Sequence, residues 1–245
     1  MYALMLLPVA FICARIVYAH RRAQTHTLCL TRNEKLLPPL RSPENIIIAF
    51  DLHGVLFRHN YRRMIRFFWQ SPDKWHLAWA TLNPRVWYDV FRLARTCTVP
   101  EAFIMRLAQQ HATIKKLLPT IIHIMNAQVP HEPTVELVHK LKSEGYQLHV
   151  ISNIGETIYR DLENQFPEIL HLFDNVVVTS AASGYISKPN PEMYYLYLST
   201  TNGNKPIFID DKIKNIRSAL NCGIASIYYE SFEHVQDALK KLINF

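Results

Sequence analysis

The stretch Ile46-Ile47-Ile48-Ala49-Phe50-Asp51-Leu52-His53-Gly54-Val55-Leu56 decides the fold. An apolar run rich in β-branched residues stops at an acid, and a glycine turns the chain three residues later. A run of about four to eight such residues, bounded by a turn signal, reads as a fully buried strand of a parallel sheet. Open parallel sheets bind their ligands beyond the carboxyl ends of the strands. Asp51 is therefore placed for chemistry and not for filling a core.

Working outward, further strands are predicted over residues 147–153, 175–180, 206–210 and 224–229. Helical patterns separate them, over residues 133–144, 156–166, 191–200, 212–221 and 233–243. In the first of these Leu137, Val138 and Leu141 share a stripe, and Gly145 supplies the stop. Strands alternating with helices of this length make β-α units. The expected fold class is α/β, a Rossmann-like parallel five-stranded sheet with an inserted all-helical subdomain. The insertion is inferred from one interval: roughly ninety residues lie between the first two strands, far more than a crossover needs. Residues 57–131 hold no convincing strand and several helical stretches, notably 100–118. Their many aromatics, among them Trp69, Trp75, Trp79 and Trp87, are most simply the insert's own core, with one or two left to line a pocket.

With 245 residues the chain can bury a substantial core. Its composition, 49% apolar and 19% charged, is globular and excludes a disordered chain. The net charge of +7 is unevenly spread. Residues 57–100 carry eight Lys/Arg against Asp73 and Asp89, and residues 1–41 carry six against Glu34. The basic insert suits an anionic substrate, or is an ordinary solvated face. No zinc-finger spacing or aromatic-plus-basic motif is present, so no nucleic-acid partner is expected. The four cysteines form no C-x-x-C pair, which disfavours a disulfide framework and favours a reducing compartment.

Residues 1–19 are almost wholly apolar apart from Arg15, and His20-Arg21-Arg22 follow. As a helix they would span about 28 Å, barely a bilayer. Three readings stand: a membrane anchor leaving a cytoplasmic domain by the positive-inside rule, a cleaved signal peptide, and a buried helix. The anchor is favoured because a basic segment before the apolar run is missing. Residues 20–44, with Pro38, Pro39 and Pro43, read as a linker.

Four features fall at or just beyond strand ends: Asp51 with His53, Ser152-Asn153, Lys188-Pro189 and Asp210-Asp211. Each alone has a structural explanation, such as a helix cap for Ser152 or Asp210. Together they suit phosphate chemistry. Paired carboxylates hold a hard divalent cation, most simply Mg²⁺. A hydroxyl and neighbouring N–H groups cradle phosphate oxygens at a helix start, and an ammonium neutralises developing charge.

This set resembles the haloacid dehalogenase-like hydrolase superfamily, which is mostly phosphatases. The resemblance covers about residues 45–230 and rests on the strand aspartate with Gly-Val-Leu, Ile-Ser-Asn, Ser-Gly-Tyr-Ile-Ser-Lys-Pro-Asn-Pro-Glu-Met-Tyr, and Phe-Ile-Asp-Asp followed by Asn215. It implies a core of residues 45–56 and 132–245, with residues 57–131 as a helical cap. It further implies Asp51 as the nucleophile forming an aspartyl-phosphate, and Asp211 as direct metal ligand with Asp210 as ligand or support. The His53 carbonyl would also face the metal. Ser152 and Asn153 would bind the phosphate, and Lys188 would pair with nucleophile and substrate. The partner is then a small phosphorylated substrate or a phosphoprotein.

His53 departs from the pattern. Phosphatases of the superfamily usually have a second aspartate there, acting as general acid, and dehalogenases a tyrosine. An imidazole can do acid–base work. Either His53 substitutes as general acid, or it moves no proton and only good leaving groups react. Three functions follow: a Mg²⁺-dependent phosphomonoesterase, favoured; a catalytically weak binding or scaffold protein; and a metal-independent dehalogenase, against which the Asp210-Asp211 pair argues. A response-regulator receiver is disfavoured by motif order, since its acidic pair would come first.

Overall fold

The computed structural model describes residues 45–97 and 99–243. The anchor expected at 1–19 and the linker at 20–44 lie outside the described residues. Among the described residues no helix is long and apolar enough to cross a membrane.

Five parallel strands form the central sheet: β1 (Ile46–Phe50), β4 (Gln147–Gly155), β5 (Asn175–Thr179), β6 (Lys205–Asp210) and β7 (Ala225–Tyr228), in the order β5-β4-β1-β6-β7. The first is buried along its whole length, as an apolar central strand must be when both sheet faces are covered. On one face Ile46, Ile48 and Phe50 pack with Leu148, Val150, Ile207 and Ile209. The covering helices there include α6 (Glu132–Ser143), α7 (Glu156–Gln165) and α11 (Phe232–Leu242). On the other face Ala49, Ile151 and Phe208 meet α9 (Pro191–Leu198) and α10 (Ile213–Asn221). A single turn, α8 (Pro167–Leu170), leads from α7 towards β5. The expected α/β architecture is therefore present, with element ends within a few residues of the sequence reading.

Between β1 and α6 lie five helices: α1 (Tyr61–Gln70), α2 (Lys74–Leu82), α3 (Pro84–Leu93), α4 (Pro100–Gln110) and α5 (Ala112–Met125). They enclose an apolar cluster of their own, including Phe68, Leu77, Val86, Leu93, Leu107 and Leu117. Three expectations for this insert are corrected. It does contain strands: β2 (Phe57–His59) and β3 (Gln128–Pro130) pair antiparallel at its base. Three-residue strands are too short to show a period, and their pairing spans the insert. The helix expected over 100–118 is two helices, broken where His111 turns extended. The second runs through Pro119 to Met125, because burial of Ile114, Leu117, Ile122 and Ile124 offsets the ~3 kcal/mol that an interior proline costs.

The third correction concerns the aromatics. Only part of the set fills the insert's core: Phe68 is buried, and Phe67 and Trp87 pack partly against it. Trp69, Trp75, Trp79, Tyr88 and Phe91 are exposed. Composition says how much aromatic surface exists but not which way it turns.

Insert and core are joined by an unexpected carboxylate. Glu101 of α4 is buried, and its Oε2 accepts from the N–H groups of Thr157 (2.9 Å) and Ile158 (3.1 Å) at the start of α7. It thereby satisfies donors that a helix start leaves open. A Cβ on Gly155 would collide with this side chain, so glycine is what permits the approach.

Candidate active site

Asp51 follows β1 immediately and is only 2% exposed. Its N–H donates to the Ile209 carbonyl at 2.9 Å, which holds the ends of β1 and β6 level. Its Oδ1 accepts from Leu52 N–H at 2.8 Å and lies 3.1 Å from Lys188 Nζ. Ser152, buried on the neighbouring β4, adds a side-chain hydrogen bond. Burial opposes ionisation of Asp51. The charges of Lys188, Lys212 and His53, with the Ser152 bond, outweigh it and hold the carboxyl well below its usual range. Asp51 is thus a carboxylate at any ordinary pH.

Lys188 is 2% exposed, deep between two acids. Its Nζ donates to the Ile151 carbonyl (2.6 Å) and to Asp210 Oδ2 (2.7 Å) and faces Asp51. Burial alone would lower its pKa; Asp210 and Asp51 outweigh that and raise it. Asn153 holds the lysine's backbone from both ends. Its Oδ1 accepts from Lys188 N–H, and its Nδ2 donates to the Lys188 carbonyl, each at 2.7 Å. Asn153 sits in an irregularity of β4, where the pairing with β5 shifts register between Ser152 and Gly155. That shift turns the side chain towards the loop that carries Lys188.

Asp210 ends β6 and is wholly buried. Both its oxygens are engaged by the protein. Oδ1 accepts from Lys212 N–H (2.7 Å) and Asn215 Nδ2 (3.0 Å), and Oδ2 from Asn215 Nδ2 (2.9 Å) and Lys188 Nζ. Asp211, half-buried, turns towards the Leu52–Phe57 turn. Gly54 in that turn has φ +90°, and a Cβ there would run into the Asp211 carboxyl. Burial, then the charge of Asp51, push the Asp211 carboxyl up to about 7. Asp51, Asp210 and Asp211 each offer an oxygen within 4.8 Å of the others. Lys188 already offsets the charge of Asp51 and Asp210, and the third carboxylate, Asp211, adds a charge that a proton or a further cation would balance. An all-oxygen set suits a hard divalent ion, so these residues fit a metal.

The residues singled out in the sequence thus converge, with two refinements. The Asn153 side chain is spent on positioning Lys188, and the Asp210 carboxylate on organising Lys188, Lys212 and Asn215. His53 sits half-exposed in the turn after β1, in a bridge with Phe57, its ring 5.4 Å from that of His59. Sequence reasoning missed two groups. Lys212, one residue past the acidic pair, acts electrostatically on Asp51 and Asp211. His59, on β2, is held below the ordinary imidazole value by the protein packed around it, although part of its surface stays exposed, and then by Lys212. Lys212 carried a signal in its adjacency to Asp211; His59 carried none, since its strand was not foreseen.

The family model described as haloacid dehalogenase-like hydrolase matches residues 95–229, more than half of the chain. The chain belongs to this family. The match takes in Ser152, Lys188, Asp210 and Asp211 but begins after β1, so Asp51 joins the haloacid dehalogenase-like set through the sheet. Solved structures share the architecture. A family enzyme from Bacteroides thetaiotaomicron, in complex with magnesium and inorganic phosphate, is 20% identical over 77% of this chain and 98% of its own, with a TM-score of 0.53. A predicted family hydrolase from Porphyromonas gingivalis is 22% identical over 79% and 97%, with a TM-score of 0.50. An L-2-haloacid dehalogenase from Xanthobacter autotrophicus, with chloropropionic acid covalently bound, is 15% identical over 79% and 82%, at 0.48.

Proposed function

We propose that the protein is a Mg²⁺-dependent phosphomonoester phosphatase working through an aspartyl-phosphate on Asp51. The observation that carries this reading is the cluster of Asp51, Asp210 and Asp211 within 4.8 Å, because displacement at carbon needs no cation whereas a phosphate dianion approaching a bare carboxylate does. The Bacteroides relative, with magnesium and phosphate bound, agrees in kind. Asp211 would hold the ion with Asp51 and the His53 carbonyl, and Asp210 would support them. When bound, Mg²⁺ supplies charge neutralisation between nucleophile and phosphate.

In this reading Asp51, kept ionised by its neighbours, attacks phosphorus as the ester P–O bond breaks. Ser152 and Lys188 hold the phosphoryl oxygens, and Lys188 offsets charge without leaving its buried seat. His53 protonates the departing oxygen. Water then cleaves the acyl phosphate, releasing inorganic phosphate and restoring Asp51. The helical insert, as a cap, selects the small phosphorylated substrate or phosphoprotein.

Hydrolysis of para-nitrophenyl phosphate, with Mg²⁺ and with EDTA, tests the reaction type. Metal-dependent release is expected. Halide release from a 2-haloacid without metal would replace the reading with dehalogenation. No turnover of either by folded protein would favour a binding role. His53→Asp tests the proton donor: a higher rate on poor leaving groups, with a flatter pH profile, would count against a tuned histidine.

A further inference from the structure

The outer surface of α1 and α2 carries large apolar side chains at helical spacing. On α1, Tyr61, Ile65 and Trp69 recur every four residues and all are exposed. On α2, Trp75, Trp79 and Leu82 recur at intervals of four and three, at 57%, 75% and 56% exposure. These are not leftovers of the insert's core, which Phe68, Leu77, Ala78 and Ala80 of the same helices already fill. The two stripes adjoin. Only Ser71-Pro72-Asp73 separates the helices, and Lys74 Nζ donates to the Trp69 carbonyl at 3.2 Å.

The surroundings are basic. Arg62 and Arg66 are exposed and each follows a stripe residue directly, so the guanidinium groups flank the aromatics. The acids of this region are already engaged: Asp73 accepts from Thr120, and Asp89 faces Arg92 and His111. Eight Lys/Arg against two Asp leave residues 57–100 with a net charge of +6. A second copy brought face to face would meet the same charge and be repelled. Tryptophan and tyrosine with flanking arginine is the combination that settles at a bilayer surface, rings at headgroup depth and cations on anionic lipid.

We propose that the outer face of α1 and α2 docks the protein onto an anionic lipid bilayer. Tyr61, Trp69, Trp75 and Trp79 enter the headgroup region, and Arg62 and Arg66 pair with lipid phosphates. The proposal is independent of the reaction at Asp51.

The test is flotation of the full-length chain with vesicles of phosphatidylcholine, alone or with phosphatidylserine, beside W75S/W79S and R62E/R66E. Circular dichroism verifies that both variants fold. The expected result is binding to the phosphatidylserine vesicles at least about tenfold tighter than to the neutral ones, weakened by added salt. Tryptophan emission should shift to the blue on binding. W75S/W79S should lower partitioning by about tenfold or more, and R62E/R66E should erase the preference for phosphatidylserine. Undiminished binding of W75S/W79S would place any membrane contact elsewhere, as in residues 1–19, and overturn the proposal. So would absence of binding by the wild type, including with concentration-dependent self-association in its place.

Discussion

The strand-end crevice and the outer face of the insert are opposites. In the crevice, charged groups are buried: Asp51, Lys188 and Asp210 are removed from water at a cost that only mutual pairing makes tolerable. On α1 and α2, large apolar groups are left in water although a core lies one helix face away. Both reverse the ordinary burial rule, and each reversal signals something beyond folding. The difference is in what sustains them. The crevice is held by the hydrogen bonds and ion pairs that converge on Lys188 and Asp210, so it is rigid and intolerant of change. Among the described residues no hydrogen bond or ring contact ties the aromatic side chains of this face to another element, so it should tolerate change freely in the isolated protein.

Lys188→Met breaks this contrast most severely if it proves mild. It leaves two buried carboxylates facing each other, and should lower the unfolding free energy by about 3–5 kcal/mol and abolish turnover. Urea denaturation and steady-state rates check both. Gly54→Ala comes next. With φ +90° and the Asp211 carboxyl in the way of a Cβ, it should reduce turnover by about 10²-fold and raise the Mg²⁺ concentration needed for activity.

The pH response sharpens the picture of the crevice. Asp211 titrates at about 7 in the folded chain against 3.8 for the unperturbed group. Between these values the folded state holds a proton that the unfolded state has released, so stability should fall as pH rises from about 4 to about 7. Asp51, displaced the other way, contributes stability that is lost only as pH falls below about 4. Burial depresses His59, His131 and His149 and acts in the opposite sense over the same range, so between pH 5 and pH 7 the urea midpoint of the wild type in EDTA should fall relative to that of Asp211→Asn. A rise relative to Asp211→Asn would contradict the assignment.

Glu101→Gln, at the seam between the two regions, should cost about 1 kcal/mol by weakening the cap on α7. The smallest effect belongs to the aromatic face. W75S/W79S should leave stability within about 0.5 kcal/mol per substitution, measured in the same urea titrations.

Much of this was legible in the chain. Three of the five sheet strands, β1, β4 and β6, are short apolar runs leading into a chemically distinctive residue, so strand and site are read together at Asp51, Ser152 and Asp210. What escaped depends on contacts distant in sequence. β2 and β3 are short, and β3 begins some seventy residues after β2. His111 breaks a helix without proline or glycine, because packing of α4 against α5 requires the turn. Glu101 caps α7 from another helix, some fifty residues away in sequence, so no local pattern announces it. Asn153 bonds the Lys188 backbone from a register shift in β4, which no local pattern in the sequence announces.

The most direct test is mass spectrometry of the Asp51 peptide after acid quench of the enzyme turning over an aryl phosphate with Mg²⁺. A phosphoryl adduct on Asp51, lost in EDTA and in Asp51→Asn along with turnover, is the result expected. Turnover that persists in Asp51→Asn, or an adduct on another residue, would contradict the account.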